Sequence, residues 1–275
     1  VVIPVGAVSV VFAGGFVPLS YSLNLTYNGR VVASGSASAV SLVLPPGTYT
    51  LSGVVSGIPI SPISFTVSNA STSTVTIPVG KVSVTFAGGL TPPTSAYSLE
   101  LSYNGVVVAS GSASEVSVVV PSGTYTLNGT LYGVPIPALS VAVPTGEVAS
   151  VVVPVGKLSV SFAGGLTPSS YTLTLSYNGR TIATGTTSDV SLILPPGTYT
   201  LSGTVSGVAL SPITVTVTEA TTTTTTIPVG ELSLSVYTLN GVQLSKASLS
   251  VSYSGSTIAS GIGTLSIILP SGSYV

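Results

Sequence analysis

The sequence contains no histidine, cysteine, methionine or tryptophan, and only 5 basic and 6 acidic residues among 275. Each absence excludes a class of chemistry. Without cysteine there are no disulfides, no thiol nucleophile and no thiolate metal site. Secretion stays open, because large sandwiches fold without staples. Without histidine or cysteine, no Ser-His-Asp or Cys-His arrangement can be assembled. Glu100, Glu115, Glu147, Asp189, Glu219 and Glu231 are scattered along residues 100–231, where a glycosidase needs two carboxylates on one cleft and a metal site needs clustered ligands. The chain therefore reads as a non-enzyme without cofactor or metal. The net charge is −1 with no basic patch, which disfavours nucleic acid as a partner. Mean hydropathy is high at +0.74, yet no apolar run reaches the ~18 residues of a membrane helix. Serine and threonine stand where charges usually do. Few groups can bind different numbers of protons in the folded and unfolded states, so stability is expected to vary weakly with pH. The chain begins without methionine or a visible signal peptide, and reads as a processed form or a fragment.

What the sequence has in abundance is repetition. Pro-Val-Gly recurs at Pro4–Gly6, Pro78–Gly80, Pro154–Gly156 and Pro228–Gly230, at spacings of 74, 76 and 74 residues. Phe-Ala-Gly-Gly starts at Phe12, Phe86 and Phe162. Tyr-Asn-Gly starts at Tyr27, Tyr103 and Tyr177, with Tyr-Ser-Gly at Tyr253. Pro-x-Gly-x-Tyr starts at Pro45, Pro121, Pro195 and Pro270. A repeat of this length is a whole small domain rather than a solenoid unit. The boundaries predicted are 6–79, 80–155 and 156–229 for three complete repeats and 230–275 for an incomplete fourth. Residues 1–5 match the end of a preceding repeat's last strand, or a donor strand.

Within the second repeat, Val82, Val84 and Phe86 alternate with polar residues, as do Leu99, Leu101 and Tyr103. That period of two marks half-buried strands. Asn104-Gly105 supplies a tight hairpin turn. Val106–Ala109, Val116–Val120, Tyr125–Leu131, Leu139–Val143 and Val148–Val153 complete seven predicted strands. The expected fold is all-β, a tandem array of seven-stranded Ig-like or prealbumin-like sandwiches. The Tyr of Pro-x-Gly-x-Tyr (Tyr49, Tyr125, Tyr199, Tyr274) reads as a tyrosine corner. Gly14-Gly15 and its repeats read as hairpin or bulge glycines. Repeats meet at Ile-Pro-Val-Gly without a flexible linker, which predicts a stiff chain. The fourth repeat stops just inside its fifth strand at Val275 and lacks about three strands. Such an open sandwich exposes sheet edges. Either the chain is a window from a longer one, the reading favoured here, or a neighbouring subunit adds a strand. Residues 1–5 alone supply one short strand where about three are missing.

Asn240–Val251 followed by Leu269–Tyr274, with Leu44–Tyr49 and Leu194–Tyr199, resembles prealbumin-like surface modules of the carboxypeptidase-regulatory-like and collagen-adhesin B-type families. The collagen-adhesin resemblance raises a Lys–Asn isopeptide bond at Lys81, Lys157 or Lys246, but Ala7 and Glu231 occupy the position equivalent to Lys81 in the first and fourth repeats. The Ser/Thr/Val-rich strands Ser114–Val120 and Thr222–Val229, together with the sequons and open ends, resemble thread-like and pilus-like extracellular filament proteins of thermophilic archaea. That resemblance implies a glycosylated structural protein at the cell surface, polymerised with copies of itself by strand exchange. The alternative is the stalk of an adhesin or cell-surface enzyme whose active part lies elsewhere. Three sequons, Asn24-Leu-Thr, Asn69-Ala-Ser and Asn128-Gly-Thr, are candidate N-glycosylation sites. Thr221–Thr226 reads as a strand edge before it reads as an O-glycan site. Tyr132 and the Phe-Ala-Gly-Gly loops are candidate carbohydrate contacts set against packing and turn geometry. Arg180 and Asp189 are placed to pair at the surface. An outer-membrane barrel is disfavoured by the 75-residue period and the lack of aromatic girdles.

Overall fold

The computed structural model describes residues 2–275, so Val1, the first residue of the expected terminal strand, lies outside them. The chain forms two compact units. One comprises Val1–Phe86, Pro93–Leu131 and Pro135–Val153, and the other Ala87–Pro92, Tyr132–Val134 and Pro154–Val275. Among the described residues, no helix is long and apolar enough to cross a membrane. The fold is nearly all strand.

The first repeat shows the plan. Its strands are β1 (Gly6–Phe12), β2 (Tyr21–Tyr27), β3 (Arg30–Gly35), β4 (Val43–Leu44), β5 (Gly47–Val55), β6 (Ile58–Val67) and β7 (Thr72–Ile77). They form a three-stranded sheet in the order β4-β1-β7 and a four-stranded sheet in the order β3-β2-β5-β6. β1 and β7 run parallel, with Val10 opposite Val75 and Phe12 opposite Ile77. Alternation decides which side chains go inside. Val8, Val10 and Phe12 meet Leu23, Leu25, Tyr49 and Leu51 in one core, while Ser22, Asn24 and Thr26 point away. The hairpin between β2 and β3 turns on Asn28 (φ 48°) and Gly29 (φ 76°), the positive-φ pair that suits the strand twist.

The same two sheets recur at 79–153 and 156–227, and the third repeat's sixth strand is split into Val208–Ala209 and Ile213–Val217. The fourth repeat contributes Val229–Ser235 paired with Thr264–Pro270, and Ser248–Tyr253 paired with Ser256–Ile262. Val275 and Ser252 exchange backbone hydrogen bonds, without a strand at 273–275. Residues 2–5 form no strand. Val5 N–H donates to Asn69 Oδ1, and its carbonyl accepts from Ala70 N–H.

Three features differ from the sequence reading. The predicted strand Val116–Val120 shrinks to Val119–Pro121, because Ser117 Oγ donates to Ala113 O (2.6 Å) and accepts from Val84 N–H (3.0 Å). The serine replaces ladder bonds with a side-chain bridge and holds the preceding residues in a turn. Ser41 and Ser191 do the same in the first and third repeats. Phe-Ala-Gly-Gly is neither hairpin nor bulge. It is a 3-10 turn at Ala13–Gly15, Ala87–Gly89 and Ala163–Gly165 that carries the chain from one sheet to the other, with Gly14, Gly88 and Gly164 at φ 62°, 65° and 64°. One short helix, Thr187–Val190, stands where none was predicted.

The glycine of Pro-Val-Gly has a packing reason. A Cβ on Gly6, Gly80 or Gly156 would collide with the carbonyl oxygen of Ser68, Pro144 or Thr218, at the turn between the sixth and seventh strands. The first strand must pass that close to keep its parallel partner in register.

Candidate functional site

The residues that could carry chemistry are dispersed by the fold. Each tyrosine corner closes on its own turn: Tyr49 Oη donates to Pro45 O (3.0 Å), and Tyr125, Tyr199 and Tyr274 donate to Pro121, Pro195 and Pro270 O (2.7 Å each). Burial, with a second tyrosine packed at a tilt beside each ring, pushes the hydroxyls of Tyr125 and Tyr199 well above the ordinary phenol range. These are locked structural groups.

The acids behave similarly. Glu115 accepts from the backbone N–H of Ser112, and Asp189 Oδ2 accepts from Thr186 N–H (2.7 Å) and Thr186 Oγ1 (2.8 Å). Those backbone bonds, then the hydroxyl contacts, hold both carboxyls below their usual range. Asp189 therefore does not pair with Arg180 as expected. Arg180 Nη1 donates instead to Gly133 O (2.9 Å). Among the described residues, no three His, Cys, Asp or Glu side chains group as metal ligands. Lys81, Lys157 and Lys246 are exposed.

Asn24 sits on β2, half-buried, with Ser34 and Ser52 opposite on the flanking strands. Asn128 lies on the fifth strand of the second repeat, at the place of Ser52 in the first, half-buried and opposite Glu100. Asn69 is exposed in the turn between β6 and β7. Thr222–Ile227 is an edge strand, parallel to Gly156–Phe162.

The feature that links repeats is one the sequence reading passed over. The turn after the fifth strand places Ser56, Tyr132 and Ser206 at φ 49°, 51° and 49°, each followed by a positive-φ glycine. The next residues, Ile58, Val134 and Val208, are buried at 4%, 3% and 2% exposure. Ser56 Oγ donates to Val119 O, and Ser206 Oγ to Ile268 O, each at 2.8 Å and each in the following repeat. Val208 packs with Ile258 and Ile267, and Tyr132 and Val134 join the core around Leu173 and Tyr199. Tyr132 is thus half-buried rather than the exposed carbohydrate contact envisaged, and burial raises its hydroxyl pKa. The legible signal was Ser-Gly-Ile, Tyr-Gly-Val and Ser-Gly-Val at a constant place after Pro-x-Gly-x-Tyr.

One apolar cleft of about 670 Å³ opens in the fourth repeat, lined by Leu232, Leu234, Val251, Leu269, Tyr274 and Val275 among others. Its apolar lining is that of a sandwich core, with Glu231 and Ser250 also on it.

No protein-family model and no curated protein matches the chain. Among solved structures it is similar to the Bacillus anthracis TIE protein, at 16% identity and a TM-score of 0.25 over 82% of this chain and 51% of that one. It is similar to BcpA, the major pilin subunit of Bacillus cereus, at 14% identity and a TM-score of 0.21 over 82% of this chain and 98% of that one. Domains 4–9 of the surface layer protein SbsC match at 15 hundredths in TM-score and 14% identity. The chain spans about half the length of the TIE protein chain. At these scores the likeness assigns neither activity nor partner.

Proposed function

We propose that the chain is a non-enzymatic structural segment of an extracellular cell-surface filament of the thread or pilus type. In this reading 6–79, 80–155 and 156–229 are successive sandwich domains, 230–275 belongs to a fourth, and the partners are copies of the same chain. The observation that supports it is where the polar side chains go. Hydroxyls, carboxylates and corner tyrosines close turns or bridge one repeat to the next. A serine that crosses to a strand of the next repeat spends its one donor on cohesion between repeats.

Strand addition by a neighbouring copy is the second assembly mode, beside continuation of the same chain. Val229–Ser235 is paired on one side with Thr264–Pro270, whereas the first strands of the other repeats carry a second, parallel partner on the opposite side. A Val-rich segment such as residues 1–5 has the composition to occupy that edge. N-linked glycans at Asn24, Asn69 and Asn128 fit the same picture, since they would shield nearly uncharged sheet faces from lateral pairing. A rigid stalk of an adhesin or surface enzyme is the alternative.

Electron microscopy of the native material tests the reading. Uniform helical polymers are expected. Isolated rods, each joined to a larger globular part, would replace the filament with the stalk.

A further inference from the structure

The first and seventh strands of each of the first three repeats run parallel, 7–12 with 72–77, 81–86 with 148–153 and 157–162 with 222–227. The lacing starts ahead of the ladder. Val5, Val79 and Val155, the residues before the tight glycines, accept through their carbonyls from the backbone N–H of Ala70, Gly146 and Ala220 (2.8, 2.7 and 2.8 Å). Ala7, Lys81 and Lys157 N–H then donate to Ser71, Glu147 and Thr221 O (2.8, 2.9 and 2.8 Å). Side chains tie the seventh strand to the sixth in turn, as Ser73 Oγ donates to Thr66 O and Thr223 Oγ1 to Thr216 O.

Parallel pairing fixes where the chain enters and leaves each repeat. In the first repeat it enters at Val5, beside Ala70, and leaves past Ile77, opposite Phe12, about 20 Å further along the pair. A pull along the chain drags the first strand backward and the seventh forward. The bonds of a parallel ladder are evenly spaced, so they share that pull and fail together. In an antiparallel hairpin such as β5–β6, a pull at the open end meets the bonds one after another. The tight glycine blocks the other escape, which is creep. A slip of one residue would turn the core face outward, so the smallest tolerated step is two residues. That step carries Val8, Val82 or Leu158 into the place of Gly6, Gly80 or Gly156. A Cβ in that place collides with the carbonyl oxygen of Ser68, Pro144 or Thr218.

We propose that the parallel pair of first and seventh strands is a mechanical clamp that carries tension along the chain, with the glycine of Pro-Val-Gly as its stop. This takes from the filament reading above only that the chain is pulled end to end, which a surface stalk would share. The clamp resists through the height of a barrier rather than through equilibrium stability, because forced unfolding is governed by the unfolding rate.

The test is single-molecule stretching of the full chain at one loading rate. The chain has no cysteine, so handles attach only where thiols are introduced. Pulled between its ends, it should give three main ruptures, one for each parallel pair, and each should release about 220 Å of chain. Thr48→Cys and Thr66→Cys place handles on exposed, facing residues at the open end of β5–β6. Pulled there, the first repeat should yield at a several-fold lower force. Equal forces, or a lower force between the ends, overturn the clamp, and this comparison needs no core substitution. Val82→Gly and Val82→Ala test the stop. Both empty the same part of the core, and only glycine fits the seat after a two-residue slip. The glycine variant alone should lengthen by about 7 Å before its first rupture. Rupture without that step, or the step in both variants, overturns the stop. Filaments seen by microscopy in a chain that yields at low force would reject the clamp alone. Stalk-like rods that resist the pull would reject the filament and keep the clamp.

Discussion

The third and fourth repeats start from nearly the same hairpin and end differently. Both pair a second strand with a third across a turn with two positive-φ residues, Asn178-Gly179 and Ser254-Gly255. Beyond it they diverge. In the third, Thr186–Val190 forms a capped helical turn, Ser191 bridges it to Val160, and the fourth strand is only Ile193–Leu194. In the fourth, the connection between the strand glycine and the matching serine, Gly261 to Ser266 against Gly185 to Ser191, is one residue shorter. No capped turn forms, Ser266 turns outward to Glu231, and Thr264–Pro270 pairs with Val229–Ser235 over its whole length. The shorter, differently composed loop thus goes with a full ladder on the first strand, and the longer one with a serine bridge and a two-residue ladder. The first strands differ in confinement too. Gly156 is pressed against Thr218, while nothing stands within 4 Å of a Cβ built on Gly230.

That contrast in confinement gives the largest expected effect. Gly156→Ala forces a methyl into the Thr218 carbonyl and should destabilise the third repeat by about 1–3 kcal/mol. Gly230→Ala should change the fourth by under ~0.5 kcal/mol. Because a multi-repeat chain need not unfold in one step, the readout is segment-resolved hydrogen exchange in denaturant. Equal effects at the two glycines would mean that the parallel seventh strand does not set the fit of the first.

A smaller effect separates the two serines. Ser191→Ala leaves the Val160 amide without its partner and should cost about 1–3 kcal/mol, at the low end if water enters. Ser266→Ala removes an exposed contact to Glu231 and should fall within ~0.5 kcal/mol. Protection of the Val160 amide reports on the first substitution directly. If that amide stays as slow to exchange in Ser191→Ala as in the parent chain, the bridge is not what holds it.

The strand content and the alternation of Val82, Val84, Leu99 and Leu101 were legible, because a period of two over four residues has one interpretation when one face must be buried. The corner tyrosines were legible from Pro-x-Gly-x-Tyr, since the motif carries its own partner four residues away. Three things were not. Val116 looks like a strand residue, but Ser117 takes over the hydrogen bond to Val84 N–H that a ladder would make, and that competition is settled by tertiary contact. Phe-Ala-Gly-Gly shows two glycines without showing that its flanking strands lie in different sheets. Tyr132 reads as a polar loop residue until the packing around Val134 is known. The joint between repeats depends on residues far apart in the chain, such as Ser56 and Val119 or Gly133 and Arg180, so periodicity announces the repeats without announcing how they meet.

The smallest effect is electrostatic and again divides the two repeats. Asp189 is held below its usual carboxylate range by the amide and hydroxyl of Thr186, and the fourth repeat has no counterpart. A folded pKa depressed below the unfolded value adds stability that is fully present above the unfolded pKa and is lost as pH falls through the folded one. The carboxylate is exposed, so the contribution is local and screened. Amides of residues 186–190 should therefore lose protection as pH drops below about 4, after correction for the intrinsic exchange rate, the unfolded value being near 3.9. Residues 261–266 should not respond over the same range. Asp189→Asn should abolish the pH response while leaving the Ser191 bridge and its protected Val160 amide in place. If the asparagine variant keeps the acid response, the proton is landing elsewhere. Glu115, held down by Ser112 in the second repeat, is then the control: its own turn should loosen in acid in the Asp189→Asn chain as it does in the parent. The first repeat sharpens the same point, since Ala39 stands where Asp189 does and its turn keeps the serine bridge through Ser41 without any carboxylate. The bridge, not the charge, is the part of this loop that the sandwich requires.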